Sequence, residues 1–360
     1  MKRFYIFIIF ILFVGVHFSC TAQSIIKAND PHIQYSGRIA FTDSTAELSW
    51  PASSIKVKFY GTRIRATMMD ERSDNNYNVI VDNKVVNVLH PLQIKKEYLL
   101  VDGLPEGEHT LELFKRTESS MGKTWFYHFG LRAGAKVLPP PPAQKRKIEF
   151  FGNSISCGYA DEDTEGKDRG SSPYENGYIS YAALTARHFD AELHNTSKSG
   201  IGITVSWFPM TMPEMYYRQD ASDPNSKWDF SKYTPGLVII NLFQNDSWIV
   251  EKSDNDQFKA RFGTTKPTPE FIINAYKSFV KTIRSIYPNA QIICMLGSMD
   301  ATKTGAPWPG YIEKAVAGLN DSKIYTHFIP YKNTNGHPTA KEQEAMANDL
   351  IKFIDENIKW

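Results

Sequence analysis

Cysteine is scarce in this sequence, with three in 360 residues at Cys20, Cys157 and Cys294. So few thiols make no disulfide framework, and packing must hold the fold together. An excess of one charge is also missing, because 41 Lys and Arg stand against 39 Asp and Glu, for a net charge of +2. That balance argues against nucleic acid or an anionic membrane surface as a partner and suits a neutral ligand. Beyond Val16 no apolar run approaches the length a membrane span needs. No cluster of His, Cys and carboxylate has metal-ligand spacing, and no Gly-rich phosphate loop occurs, so the sequence implies neither a metal nor another cofactor. No internal repeat is apparent.

What is present begins with a leader. Lys2-Arg3, the apolar stretch from Phe4 to Val16 and the small residues Ser19, Thr21 and Ala22 predict a signal peptide over residues 1–22. Two processing routes are open: lipid attachment at Cys20, or cleavage after Ala22. Either implies export, to the periplasm, to the outer membrane as a lipoprotein, or to the medium.

Residues 23–138 alternate in short runs such as Ile55–Phe59, Ile64–Met68, Tyr77–Val81 and His109–Leu113, broken at Gly61-Thr62, Asp82-Asn83 and Glu106-Gly107. Period two with such breaks predicts half-buried antiparallel strands and hence a β-sandwich. Pro139 to Pro142 cannot enter a sheet interior, which makes 139–146 a linker. From 147 to 360 the pattern changes to apolar strands at Ile148–Phe151, Leu237–Ile240, Ile292–Leu296 and Ile324–Ile329, with helices near 178–189, 268–287 and 340–356. That alternation predicts an α/β domain with a parallel sheet covered on both faces. Thr339-Ala340-Lys341-Glu342 reads as a capping box at the start of the last helix.

In such sheets the chemistry gathers at the carboxyl ends of the strands. Ser154 follows the first strand within Gly152-Asn153-Ser154, where its hydroxyl can face a cleft and its amide a substrate oxygen. Gly200 follows another expected strand, and Asn245 follows Leu237–Ile240 with a neutral side-chain N–H suited to an oxyanion. His337 sits just before the capped helix, the one histidine of nine whose position matches a loop at the strand edge. Each residue alone is compatible with a cap or a turn; four at successive strand ends can share one cleft.

Gly152-Asn153-Ser154, Gly200, Asn245-Asp246 and His337-Pro338 resemble the four blocks of SGNH (GDSL-type) hydrolases. Gly37-Arg38, Trp50, Phe59 to Thr62, Val81 to Asn83, Gly107 to His109, Lys115 to Glu118 and Ile148 to Gly152 narrow the resemblance to carbohydrate esterase family 2. It covers nearly all of the mature chain and implies a jelly-roll sandwich followed by an SGNH domain. By the same resemblance the activity is deacetylation of xylan, glucomannan or related oligosaccharides. Ser154 would be the nucleophile and His337 its base, with the amides of Ser154 and Gly200 and the side chain of Asn245 as the oxyanion hole. Trp248 and Trp207 are candidates for stacking on a sugar ring.

Three positions depart from the superfamily pattern: Asn153 for Asp, Phe243 for Gly, and Thr334 where the triad Asp often stands. The last implies a Ser-His dyad, with the Nδ1–H of His337 on a main-chain carbonyl. No carboxylate is then expected within roughly 3.2 Å of that nitrogen, and Asp246 should point elsewhere. Two other readings fit the sequence: a surface glycan-binding lipoprotein that has lost catalysis, and an esterase for another short-chain acyl ester.

Overall fold

The computed structural model describes residues 24–360, so the expected leader and Cys20 lie outside the described residues. Twelve strands occupy the amino-terminal part: β1 (Ser24–Lys27), β2 (Ile33–Ser36), β3 (Ala40–Phe41), β4 (Ala46–Leu48), β5 (Ser54–Tyr60), β6 (Arg63–Asp70), β7 (Tyr77–Val81), β8 (Lys84–Leu89), β9 (Lys96–Asp102), β10 (Glu108–Lys115), β11 (Thr124–Leu131) and β12 (Lys136–Leu138). They form two antiparallel sheets, β3-β4-β11-β6-β9 with β1 added on β11, and β12-β5-β10-β7-β8 with β2 added on β5. Alternation decides which side is inside. Ile55, Val57 and Phe59 of β5 meet Ile64, Ala66 and Met68 of β6 in one buried cluster. On the outer face Lys56 pairs with Glu112 and Lys58 with Glu108 across the strands. Asp82 and Asn83, both at positive φ, make the two-residue turn from β7 to β8, a conformation these short polar side chains tolerate.

No strand occurs between Pro139 and Pro142. Beyond them come β13 (Arg146–Gly152), α1 (Ser154–Cys157), α2 (Tyr181–His188), β14 (Ala191–Ser197), β15 (Leu237–Asn241), α3 (Gln244–Ile249), α4 (Asp256–Phe262), α5 (Pro269–Ile286), β16 (Gln291–Leu296), α6 (Trp308–Ala317), β17 (Ile324–Phe328) and α7 (Ala340–Asn357). The five strands make a parallel sheet in the order β14-β13-β15-β16-β17. Successive residues point to opposite faces, so Ile148 and Phe150 pack with α2 and α7, while Phe151, Val238 and Ile240 pack with α5 and α6. Thr339 and Glu342 form the expected capping box on α7, which buries Met346, Leu350 and Ile354.

The sandwich and the α/β part are joined by buried polar contacts as well as by chain. Arg38, 1% exposed, donates to Glu149 Oε1 at 2.8 Å and to the carbonyl of Arg218 at 2.8 Å. Glu149 lies in β13 and also accepts from Tyr287 Oη at 2.6 Å, so the charge is fully bonded. Cys157 and Cys294 are both free and buried. No helix among the described residues is long and apolar enough to cross a membrane.

Candidate active site

Strand register brings three of the sequence-selected residues to one edge. Gly152 at the end of β13 is flanked by Ser197 of β14 and Asn241 of β15, so Ser154, Gly200 and Asn245 follow three adjacent strands. Ser154 opens α1, and its amide has no carbonyl one turn earlier in the helix to satisfy. Asn153 caps that helix by accepting the Ile155 amide at 3.0 Å. Its Nδ2 is buried without a partner among the described residues, a cost that the acceptor-only Asp of related sequences would not carry.

His337 comes from the far edge of the sheet. The chain leaves β17, crosses the strand ends, and is tied down where Gln343 of α7 donates to the Ile155 carbonyl at 3.0 Å and accepts the Tyr181 amide at 2.9 Å. This puts His337 Nε2 2.8 Å from Ser154 Oγ. The pair has the geometry of a nucleophile and its base, with Ser154 only 5% exposed.

The expected absence of a carboxylate is overturned. Asp168, on the irregular loop between α1 and α2, places Oδ1 2.9 Å and Oδ2 3.1 Å from His337 Nδ1. Oδ1 also accepts the His337 backbone N–H at 2.8 Å, so one carboxylate fixes both ring and main chain. Gly336 precedes the histidine at φ +70, and a Cβ there would lie 3.1 Å from the Asp168 Cγ. The Ser-His dyad is therefore corrected to a Ser-His-Asp chain. Thr334, at the usual acid position, instead donates to Glu342 Oε1 at 2.5 Å. Asp246 does point elsewhere, accepting from the amides of Ile203, Thr204 and Val205.

Electrostatics agree with the hydrogen bonds. The bond from His337 holds the Asp168 carboxyl below its ordinary range, against partial burial that would raise it. Arg169 braces the loop through Asp163, donating its Nε at 3.0 Å and its amide at 2.9 Å. The ring of Tyr159 covers His337 at a centroid distance of 4.3 Å.

Asn245 is oriented on both sides. Its Oδ1 accepts the Trp207 indole N–H at 3.0 Å, which turns Nδ2 the other way; one of the two Nδ2 hydrogens goes to the Ile201 carbonyl at 2.8 Å. The Trp207 amide in turn donates to the Gly200 carbonyl at 3.0 Å. Trp207 is 41% exposed beside the cleft residues, and the Lys252 ammonium lies over its ring at 5.0 Å from the centroid. Trp248 is different: its indole donates to Asp300 at 3.0 Å, and its ring packs on the α2 and α7 side. Phe243, at φ +90, adopts a backbone that explains why Gly is common there, but its ring is buried against Tyr276 and Trp308 and leaves the cleft clear.

Comparison with known proteins gives a consistent set. Residues 35–141 match the family description Carbohydrate esterase 2 N-terminal. The chain is 33% identical over 350 residues to the cellulase/esterase CelE of Acetivibrio thermocellus, across 92% of this chain and 40% of that protein, so it spans well under half of that relative. It is 27% identical over 345 residues to an acetylxylan esterase / glucomannan deacetylase of Cellvibrio japonicus, across 93% of this chain and 91% of the relative. It superposes on a family two carbohydrate esterase from Clostridium thermocellum, in complex with cellohexaose, with a TM-score of 0.78 and 32% identity over 90% of this chain and 98% of the other.

Proposed function

Since the chain belongs to carbohydrate esterase family 2, we propose that it is an exported deacetylase of acetylated polysaccharides or oligosaccharides of the xylan and glucomannan type. The observation that carries this reading is the unbroken chain from Ser154 Oγ through His337 to the Asp168 carboxylate, at the carboxyl edge of the sheet. A protein that only held glycan would have no use for that proton path.

In the proposed cycle His337 Nε2 takes the Ser154 proton as Oγ attacks the acetyl carbonyl. The Asp168 carboxylate stabilises the imidazolium that forms. The amides of Ser154 and Gly200 and the remaining Nδ2 hydrogen of Asn245 receive the developing oxyanion. The sugar oxygen leaves with the proton from His337, giving acetyl-serine and a free hydroxyl. Water then loses a proton to His337 as it attacks the acetyl carbon, and acetate departs as Ser154 is restored. The exposed Trp207, bonded to Asn245 beside the acetyl site, is the candidate for contact with a sugar ring. Export, with or without lipid at Cys20, belongs to the same proposal.

Acetate release from acetylated xylan and glucomannan, measured in secreted, soluble and membrane fractions, tests it. Wild-type protein should release acetate and Ser154→Ala should lose on the order of a thousandfold or more. Equal turnover by the two proteins would sink the reading. A preference for longer acyl chains in a series of 4-nitrophenyl esters would move the substrate to another ester class.

A further inference from the structure

The loop that follows β10 belongs to the sandwich, yet it reaches behind the catalytic residues. Lys115, Thr117 and Glu118 are at most 1% exposed, and the Lys115 ammonium donates to the carbonyls of Thr117 at 2.7 Å and Glu118 at 3.3 Å. The Glu118 amide is held by Glu175. Its carboxylate then crosses to the α/β part, where Oε2 accepts the Ser199 amide at 2.8 Å.

Ser199 and Gly200 are the central residues of a turn closed by the Ile201 amide on the Lys198 carbonyl at 3.3 Å. Gly200 at the third position has φ +83, the conformation of a type II turn. Types I and II differ by a flip of the central peptide, and glycine at that position permits both. The central peptide here carries the Gly200 N–H. Its direction therefore decides whether the oxyanion finds that donor.

Resting on the esterase reading, we propose that Glu118 is a positioning residue contributed by the sandwich, whose carboxylate anchors the Ser199 amide of the 198–199 peptide and so fixes the start of the turn from which the next peptide presents the Gly200 N–H to the oxyanion. The role is geometric rather than electrostatic. A buried negative charge near the hole opposes the charge that develops there, so nothing is gained from Glu118 except its acceptor.

This gives opposite expectations for two substitutions. Glu118→Gln keeps an acceptor oxygen and removes the charge, and its kcat on 4-nitrophenyl acetate should stay within about threefold of wild type. Glu118→Ala removes the acceptor, and kcat should fall roughly 10- to 100-fold, with KM within about twofold, because a donor used in the transition state is misaimed. A crystal structure of Glu118→Ala should show the 199–200 peptide rotated. Wild-type kcat in Glu118→Ala, an equal loss in Glu118→Gln, a loss confined to KM, or an unmoved 199–200 peptide would each overturn the proposal. The structural readout stands whatever the substrate, and Ser154→Ala in the same assay reports separately on the esterase reading.

Discussion

Among single residues, Asp168 has the most to explain. An Asn there could accept the His337 backbone N–H through its oxygen, but it could not stabilise an imidazolium or favour the tautomer that leaves Nε2 free to accept. Asp168→Asn should lower kcat roughly a thousandfold while leaving KM nearly unchanged. Since His337 holds the Asp168 carboxyl below its ordinary range, the contribution is complete above the usual carboxylate range and fades as pH falls through the depressed value. The gap between wild type and variant should accordingly narrow in acid, read from kcat profiles of both proteins. A loss of less than about tenfold at neutral pH would mean that the Ser154-His337 pair works alone. Phe243 shows a different balance: its left-handed backbone costs about 1–3 kcal/mol, offset by burying a whole phenyl ring, worth about 1.5–3 kcal/mol.

The loop carrying Asp168 is held mainly by polar groups, and Asp161 is its least comfortable member. Burial, with Glu162 adding repulsion, pushes the Asp161 carboxyl up to about 9, and its Oδ2 has no partner among the described residues. A raised value means that its favourable, neutral form contributes fully in acid, with the contribution lost as pH climbs toward 9. Asp161→Asn keeps the acceptor for the Asn176 amide, a 3.0 Å bond, without an ionisable group. Its melting temperature should gain on wild type progressively from pH 4 to pH 9, at roughly those bounds; a constant offset across that range would contradict the assignment. The same loop marks where the sequence was hard to read. Ile55–Phe59 was legible from its alternation, and Tyr77–Val81 was legible as a strand although all five of its residues are buried rather than every second one; Ser154, Gly200, Asn245 and His337 were legible at strand ends. β8 was not, because Val85 and Val86 are consecutive and both exposed, and β11 was not, because its register shifts between Phe126 and His128. Asp168 lies among Asp161, Glu162, Asp163 and Glu165 with no period to separate it, and it meets a residue 169 positions away. Its position between Gly166 and Gly170 was the local signal available.

On the scale of the whole molecule, the buried Arg38-Glu149 pair joins the two halves into one unit. Arg38→Met would leave the Glu149 carboxylate buried without its cation, costing about 3–5 kcal/mol. Replacing Glu149 by Gln as well should recover part of that loss, because the orphaned charge is gone. Urea unfolding followed by fluorescence should give one shared transition for both halves in wild type, and a loss under about 1 kcal/mol in Arg38→Met would argue that the halves are stabilised separately. The two thiols complete the picture. Burial pushes the Cys157 thiol far up and that of Cys294 to about 12, so neither supplies the thiolate through which oxidants and disulfide partners react. Among the described residues neither thiol is open to exchange, so the fold of residues 24–360 should keep its shape in glutathione of any redox poise.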